Sequence, residues 1–187
     1  ASIHNITKYV KKSFAGPLLK KEIDAINLVV KNKKEPVTCI IGGSKISTKI
    51  NVITSLIEKV NNLIIVGAMA NNFFIYKNYK VGKSLIEENT KEIIKKIYEK
   101  ANKNKCKILI PEDCMVGSSF DSFGINKDSN AIEDNDIILD IGPKTITNIK
   151  NIIDRSNTVL WNGPAGYFEN ENFMIGTMSI AENISKN

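Results

Sequence analysis

Short β-rich apolar runs alternate along this chain with longer stretches of helical periodicity, an order that points to a parallel sheet with helices packed on its faces. The first run, Val37–Ile41, is apolar and partly β-branched and stops at Gly42-Gly43. Ile46, Ile50, Ile53, Ile57 and Val60 then recur at three- and four-residue steps, as on the inner face of a helix. Further runs lie at 63–66, 107–110, 137–140 and 158–162, and helices are expected through Phe73 and Tyr76 and at about 87–104, 145–156 and 176–184. Upstream, Gly16-Pro17 introduces Leu19, Ile23, Ile26 and Val30 at helical spacing. The polar stretch 112–135 reads as a long connection with room for a hairpin. The fold class is α/β, a doubly wound, Rossmann-like parallel sheet. All five runs are expected in one sheet, with Gly43, Gly67, Asn162 and Glu169 gathered at the carboxyl ends of the strands.

Composition narrows the function classes. With 187 residues, 42% of them hydrophobic, the chain can bury one ordinary core. No apolar run is long enough to cross a bilayer and no leader sequence is visible, so a cytoplasmic protein without membrane partners is expected. The net charge of +6 is spread out, and its densest groups are pairs: Lys11-Lys12, Lys20-Lys21 and Lys33-Lys34. Such pairs read as solvated faces and not as a nucleic-acid stripe. Cys39, Cys106 and Cys114 are odd in number and lack CxxC spacing, which fits buried thiols in a reducing compartment. A single histidine, His4, leaves no material for a histidine triad or a zinc cluster, and no metal ligand is assigned.

Two segments carry candidate chemistry. Gly42-Gly43-Ser44-Lys45 lies where a strand hands over to a helix, a place where free amides and the helix dipole favour an anion. If the helix begins by Lys45, Lys45 and Lys49 share one face and can grip that anion together; the alternative is a tight turn with two solvated lysines. Neither GxxxxGK[ST] nor GxGxxG is present. The second segment, 161–169, follows another apolar run: its glycines and Pro164 would shape a ledge, Asn162 can donate to phosphate, and Glu169 can accept from two ribose hydroxyls. Taken alone, it reads first as a loop around a packed Trp161.

In order along the chain, the segments 39–50 (CIIGGSKISTKI), 66–70 (VGAMA), 81–85 (VGKSL), 139–143 (LDIGP) and 161–169 (WNGPAGYFE) resemble successive signatures of phosphoglycerate kinases. The resemblance implies a two-domain hinge enzyme that moves a phosphoryl group between 1,3-bisphosphoglycerate and ADP, with magnesium. On matching positions it assigns Gly43, Ser44, Lys45 and Lys49 to the phosphates, with Lys45 and Lys49 catalytic. Gly67 and Ala68 fall to the adenine wall, Ile138 and Leu139 to a strand end beside the base, and Asn162, Pro164 and Glu169 to phosphate, base and ribose. It further implies that residues 1–30 are the tail of an amino-terminal domain, the hinge and the interdomain helix, and that 31–187 are the nucleotide-binding domain without its last strand and glycine-rich metal-binding loop. Phosphoglycerate would bind through the other domain, the chain alone would be inactive, and the enzyme would be a monomer. A non-catalytic nucleotide-binding module of the same fold is the competing reading.

The match has departures. Val66, Ala68 and Ile138 stand where glycine is common in the family, Thr48 where aspartate is common, and Ala165 where valine or methionine is common. The first three bear on the shape of the base pocket and Thr48 on the charge balance beside the lysines.

Overall fold

The computed structural model describes residues 5–31 and 34–187, and within 5–31 the side chains of residues 25, 26 and 28–31 are not described. His4 and Lys33 therefore lie outside the described residues, as do the side chains of Ile26 and Val30. The chain divides into two units, Ala1–Lys33 and Lys34–Asn187.

In the first unit, a short turn of 3-10 helix, Ile6–Lys8, precedes helix α1, Pro17–Lys31. Proline opens α1 because its fixed φ suits the first helical position and its missing N–H is not needed there. Leu19 and Ile23, on the expected apolar face, are exposed, as are Tyr9 and Phe14.

In the second unit, strands β1 (Val37–Ile41), β2 (Asn62–Ile65) and β3 (Lys107–Leu109) alternate with helices α2 (Ile50–Ile57), α3 (Met69–Tyr76) and α4 (Lys91–Lys103). Then come β4 (Asp113–Gly117), β5 (Ile125–Asp128), β6 (Ile137–Ile141), α5 (Pro143–Ile153), β7 (Thr158–Asn162) and α6 (Ile175–Lys186). Strands β3-β2-β1-β7 form a sheet in that order, every pair parallel. Successive side chains of a strand point to opposite faces, and β1 shows the consequence. Cys39 and Ile41 pack with Ile53 and Ile57 of α2, Phe73 of α3 and Ile97 of α4. Ile40 packs on the other side with Ile149 and Ile153 of α5 and Ile180 of α6. Helices thus cover both faces, which is why all five residues of β1 are buried and the run is apolar but for Thr38. Thr38, also fully buried, is satisfied by the Ser156 hydroxyl at 2.7 Å and by the Asn62 amide, which donates at 3.1 Å.

The expectation of five strands in one sheet is corrected here. Strand β6 belongs to a separate antiparallel sheet, ordered β5-β4-β6, with Cys114 opposite Ile141 and a bulge at Met115/Val116. The connection after Pro111 does hold a hairpin, β4-β5, and β4 supplies the partner that β6 takes. An apolar run carries no record of its partner or direction, and β6 finds its burial in this sheet, with Ile141 in the cluster around Ile40 and Ile138 against Phe74, Cys114 and Val116. Phe74, Val81, Cys114, Val116 and Ile132 form the third cluster, beneath the small sheet.

Candidate functional site

Three glycine-bearing turns interlock at the carboxyl ends of β1, β2 and β7. The Gly42 amide donates to the Asn162 carbonyl at 2.8 Å, the Met69 amide to the Gly43 carbonyl at 2.7 Å, and the Gly67 amide to the Ala165 carbonyl at 3.0 Å. The first and third turns cross at van der Waals contact of backbones. A Cβ on Gly42 would lie 2.0 Å from the Pro164 carbonyl oxygen, and one on Gly163, whose φ is +86°, would lie 2.6 Å from the Gly42 oxygen.

Beside this crossing opens a cavity of about 390 Å³, within the range of small-molecule sites. Gly43, Ser44, Gly67, Ala68 and Pro164 line it from the turns, Ile138 and Leu139 from β6, and Glu169 from the loop after β7. Ile138 and Leu139, expected at a strand end beside the base, thus line the cavity from the small sheet, from within β6 and not from its end. Two bonds press β6 into place. The Ile138 amide donates to the Ser84 hydroxyl at 2.8 Å, and the Tyr167 amide to the Leu139 carbonyl at 2.7 Å.

The lysines stand apart from the cavity lining. Helix α2 begins at Ile50 with Lys49 as its N-cap, so the expectation that Lys45 and Lys49 share a helix face is corrected: the segment between them is a turn. Glycine-glycine is followed by five more non-helical residues before Lys49, because buried Ile46 anchors the turn in the core before the helix can start. Lys49 folds back and donates to the Gly42 carbonyl at 2.9 Å and to Asn162 Oδ1 at 2.6 Å, joining the first turn to β7. Lys45 is exposed, and Thr48 donates to its carbonyl at 3.0 Å. Of the eleven residues expected at the site, eight line the cavity, Lys49 and Asn162 bond to each other at its edge, and Lys45 points into solvent nearby.

Several lining residues were not singled out from sequence: Asn71, Phe74, Leu85, Phe120, Asp140 and Tyr167. Asp140 had a legible signal, an acid inside an apolar run. Its side chain is 2% exposed and accepts from the Gly176 amide at 2.7 Å and its neighbour Ile141's amide at 2.8 Å, so it caps an orphan N–H in the first turn of α6. Burial raises its carboxyl to about 6, against the opposing pull of those two amides. The three thiols, Cys39, Cys106 and Cys114, are buried and pushed up by burial to about 12, 11 and 12, which leaves them unreactive at neutral pH.

The phosphoglycerate kinase family model matches residues 1–187, the whole chain. The chain belongs to the phosphoglycerate kinase family. It is 45% identical over 186 residues to the phosphoglycerate kinase of Wolbachia pipientis wMel, a match covering 99% of this chain and 46% of that protein. To the phosphoglycerate kinase of Bartonella quintana it is 39% identical over 188 residues, covering 100% of this chain and 47% of the relative. The solved structure of phosphoglycerate kinase from Coxiella burnetii superposes with a TM-score of 0.87 at 35% identity, covering 92% of this chain and 45% of that one. The enzyme from Pyrococcus horikoshii OT3, at 24% identity and a TM-score of 0.73 over 90% of this chain and 44% of that one, shares the fold. The chain thus spans about half the length of these phosphoglycerate kinases. Among its described residues no helix is long and apolar enough to cross a membrane, and no group of three or more His, Cys, Asp and Glu could hold a metal ion.

Proposed function

We propose that this chain is the nucleotide-binding half of a phosphoglycerate kinase, which transfers a phosphoryl group reversibly between 1,3-bisphosphoglycerate and ADP to give 3-phosphoglycerate and ATP. The observation that carries the proposal is the convergence of eight residues from four separate segments on one cavity, with the Lys49–Asn162 pair beside its Gly43. Pro164, Ile138, Leu139 and Ala68, all lining the cavity, offer apolar surface to a purine. Glu169 accepts from the ribose hydroxyls, and the Gly43–Ser44 turn and Lys49 meet the phosphates. Lys45, exposed on the turn beside them, offsets charge on the phosphoryl group in flight, because such transfer depends chiefly on positioning and on electrostatic stabilisation.

Residues 1–30 are proposed as the tail of the amino-terminal domain, the hinge and the interdomain helix, with residues 31–187 holding the nucleotide and the other domain holding phosphoglycerate. Magnesium bound with the nucleotide would supply further positive charge to offset that of the phosphates. The protein is proposed to be a cytoplasmic monomer. Catalysis needs both substrates held in line and shielded from water, so this chain alone is expected to bind ADP weakly and to turn nothing over.

The test is coupled ADP formation from ATP and 3-phosphoglycerate, run on the full-length protein, on its Lys45→Ala variant and on this chain. Turnover by the full-length protein, a loss of roughly two to three powers of ten with Lys45→Ala, and none by this chain are expected. Robust turnover by this chain, or an unaffected Lys45→Ala protein, would overturn the assignment of roles.

A further inference from the structure

The segment carrying Lys45 and Lys49 has no strand or helix of its own, and besides buried Ile46 and the bonds of Lys49 it is held by a side chain from a distant part of the chain. The carboxylate of Glu87 accepts the Ser47 amide at 3.1 Å, midway between the two lysines. The Glu87 carboxyl lies below its ordinary range, the Ser47 side chain beside it being the chief cause, with the Ser47 and Ile46 amides and the nearby Lys45 ammonium adding to the shift.

Glu87 is itself held. Its amide donates at 3.0 Å to Oδ1 of Asn72, a residue 1% exposed in α3, and the Thr90 hydroxyl donates to the same oxygen at 3.4 Å. One residue earlier in α3, Asn71 donates to the Leu85 carbonyl at 2.9 Å. Two adjacent buried amides therefore clamp the loop on both sides of Ile86, an expense of desolvation that apolar residues would avoid. The clamped loop also reaches the cavity: Leu85 lines it, and Ser84 holds β6 through the Ile138 amide. From the base-side wall to the lysine turn the connection is thus continuous, through Leu85 and Glu87.

We infer that Glu87 is a positioning residue for the phosphate end of the site: by accepting the Ser47 amide it fixes the turn that presents Lys45 and Lys49. This rests on the nucleotide reading above. The exposed charge pairing of Glu87 with Lys45 is screened by solvent and contributes little, whereas a bond to a backbone amide sets the path of the turn. The hydrogen-bond acceptor, and not the negative charge, is what matters.

The experiment measures ADP and adenosine affinities by calorimetry on the full-length wild-type protein and on Glu87→Ala and Glu87→Gln, with amide exchange at Ser47 as a second readout. Adenosine engages only the base and ribose walls, so its affinity is expected to stay within about twofold in both variants, while Glu87→Ala binds ADP about tenfold more weakly. Glu87→Gln retains an acceptor oxygen, so it keeps wild-type ADP affinity within about threefold and keeps the Ser47 amide protected, whereas Glu87→Ala speeds its exchange. An unchanged ratio of ADP to adenosine affinity in Glu87→Ala overturns the inference, as does Glu87→Gln behaving like Glu87→Ala, and in both cases the nucleotide reading survives. A wild-type protein that binds neither ligand overturns that reading, and the inference with it.

Discussion

The two ends of the cavity are built in different ways. At the end proposed for the base, turns from β1, β2 and β7 are stitched by backbone hydrogen bonds, with glycine backbones crossing so closely that a methyl group has no room. At the lysine end, the residues from Ser44 to Lys49 are mostly exposed, and their anchors are side chains: Ile46 in the core, Glu87 on Ser47, and Lys49 back to Gly42 and Asn162. The difference teaches a division of labour. A planar base needs a slot whose shape does not change, which backbone supplies without rotamer freedom. Phosphates that move between partners need charges on arms that can shift.

The largest effect is expected where the base end is tightest. Gly42→Val would drive a Cβ against the Pro164 carbonyl, with the Gly163 carbonyl 2.8 Å away, and neither backbone atom can step aside alone. A loss of stability above about 3 kcal/mol, together with loss of adenosine binding, is expected from urea melts and calorimetry. Ser44→Val, two residues on and exposed, is expected to stay within about 0.5 kcal/mol. If Gly42→Val melts like wild type, the base end is not the rigid half.

Asp140 comes next, beneath the same end. Its carboxyl is raised to about 6 in the folded protein against an ordinary 3.8, so between those values the folded state holds a proton that the unfolded chain releases. The group's stabilising contribution is therefore full below about pH 4 and is lost as pH rises through about 6, with an upper bound of about 3 kcal/mol at 1.36 kcal/mol per unit. Asp140→Asn is expected to flatten that portion of the stability profile, measured as urea midpoints from pH 4 to pH 7.5. Parallel profiles for the two proteins would show that the buried acid is ionised throughout.

At the lysine end the effects on stability shrink. Lys49→Ala removes both bonds to Gly42 and Asn162, and a loss of about 1 kcal/mol is expected, with ADP affinity falling about tenfold. The smallest effect is that of Lys45→Ala on the melt, within about 0.5 kcal/mol, because the side chain is exposed. Equal destabilisation by the two lysine variants would erase the distinction between a lysine that braces the turns and one held ready for substrate.

Legibility in the sequence followed burial. β1, β2 and β7 were readable because strands packed under helices need apolar runs, and the glycines at their ends marked the turns of the site. The hairpin was legible as a polar gap of the right length. Asp140 stood out as an acid in an apolar run, yet nothing local said that its partner would be the first turn of a helix 35 residues later. Asn71 and Asn72 interrupted an apolar helix, and only the loop folded over them gave the interruption a purpose.

By itself, then, the sequence determined the α/β alternation and the turns at the strand ends, since these depend on local periodicity and on the steric freedom of particular residues; the full set of eight residues that line the cavity came from the resemblance to phosphoglycerate kinases. Tertiary structure alone decided that β6 joins an antiparallel sheet, that helix α2 waits until Ile50, and that Lys49 turns back to brace two strands while Lys45 faces solvent. Strand pairing and the direction of a long charged side chain depend on partners distant in the chain, and no local pattern encodes which partner arrives.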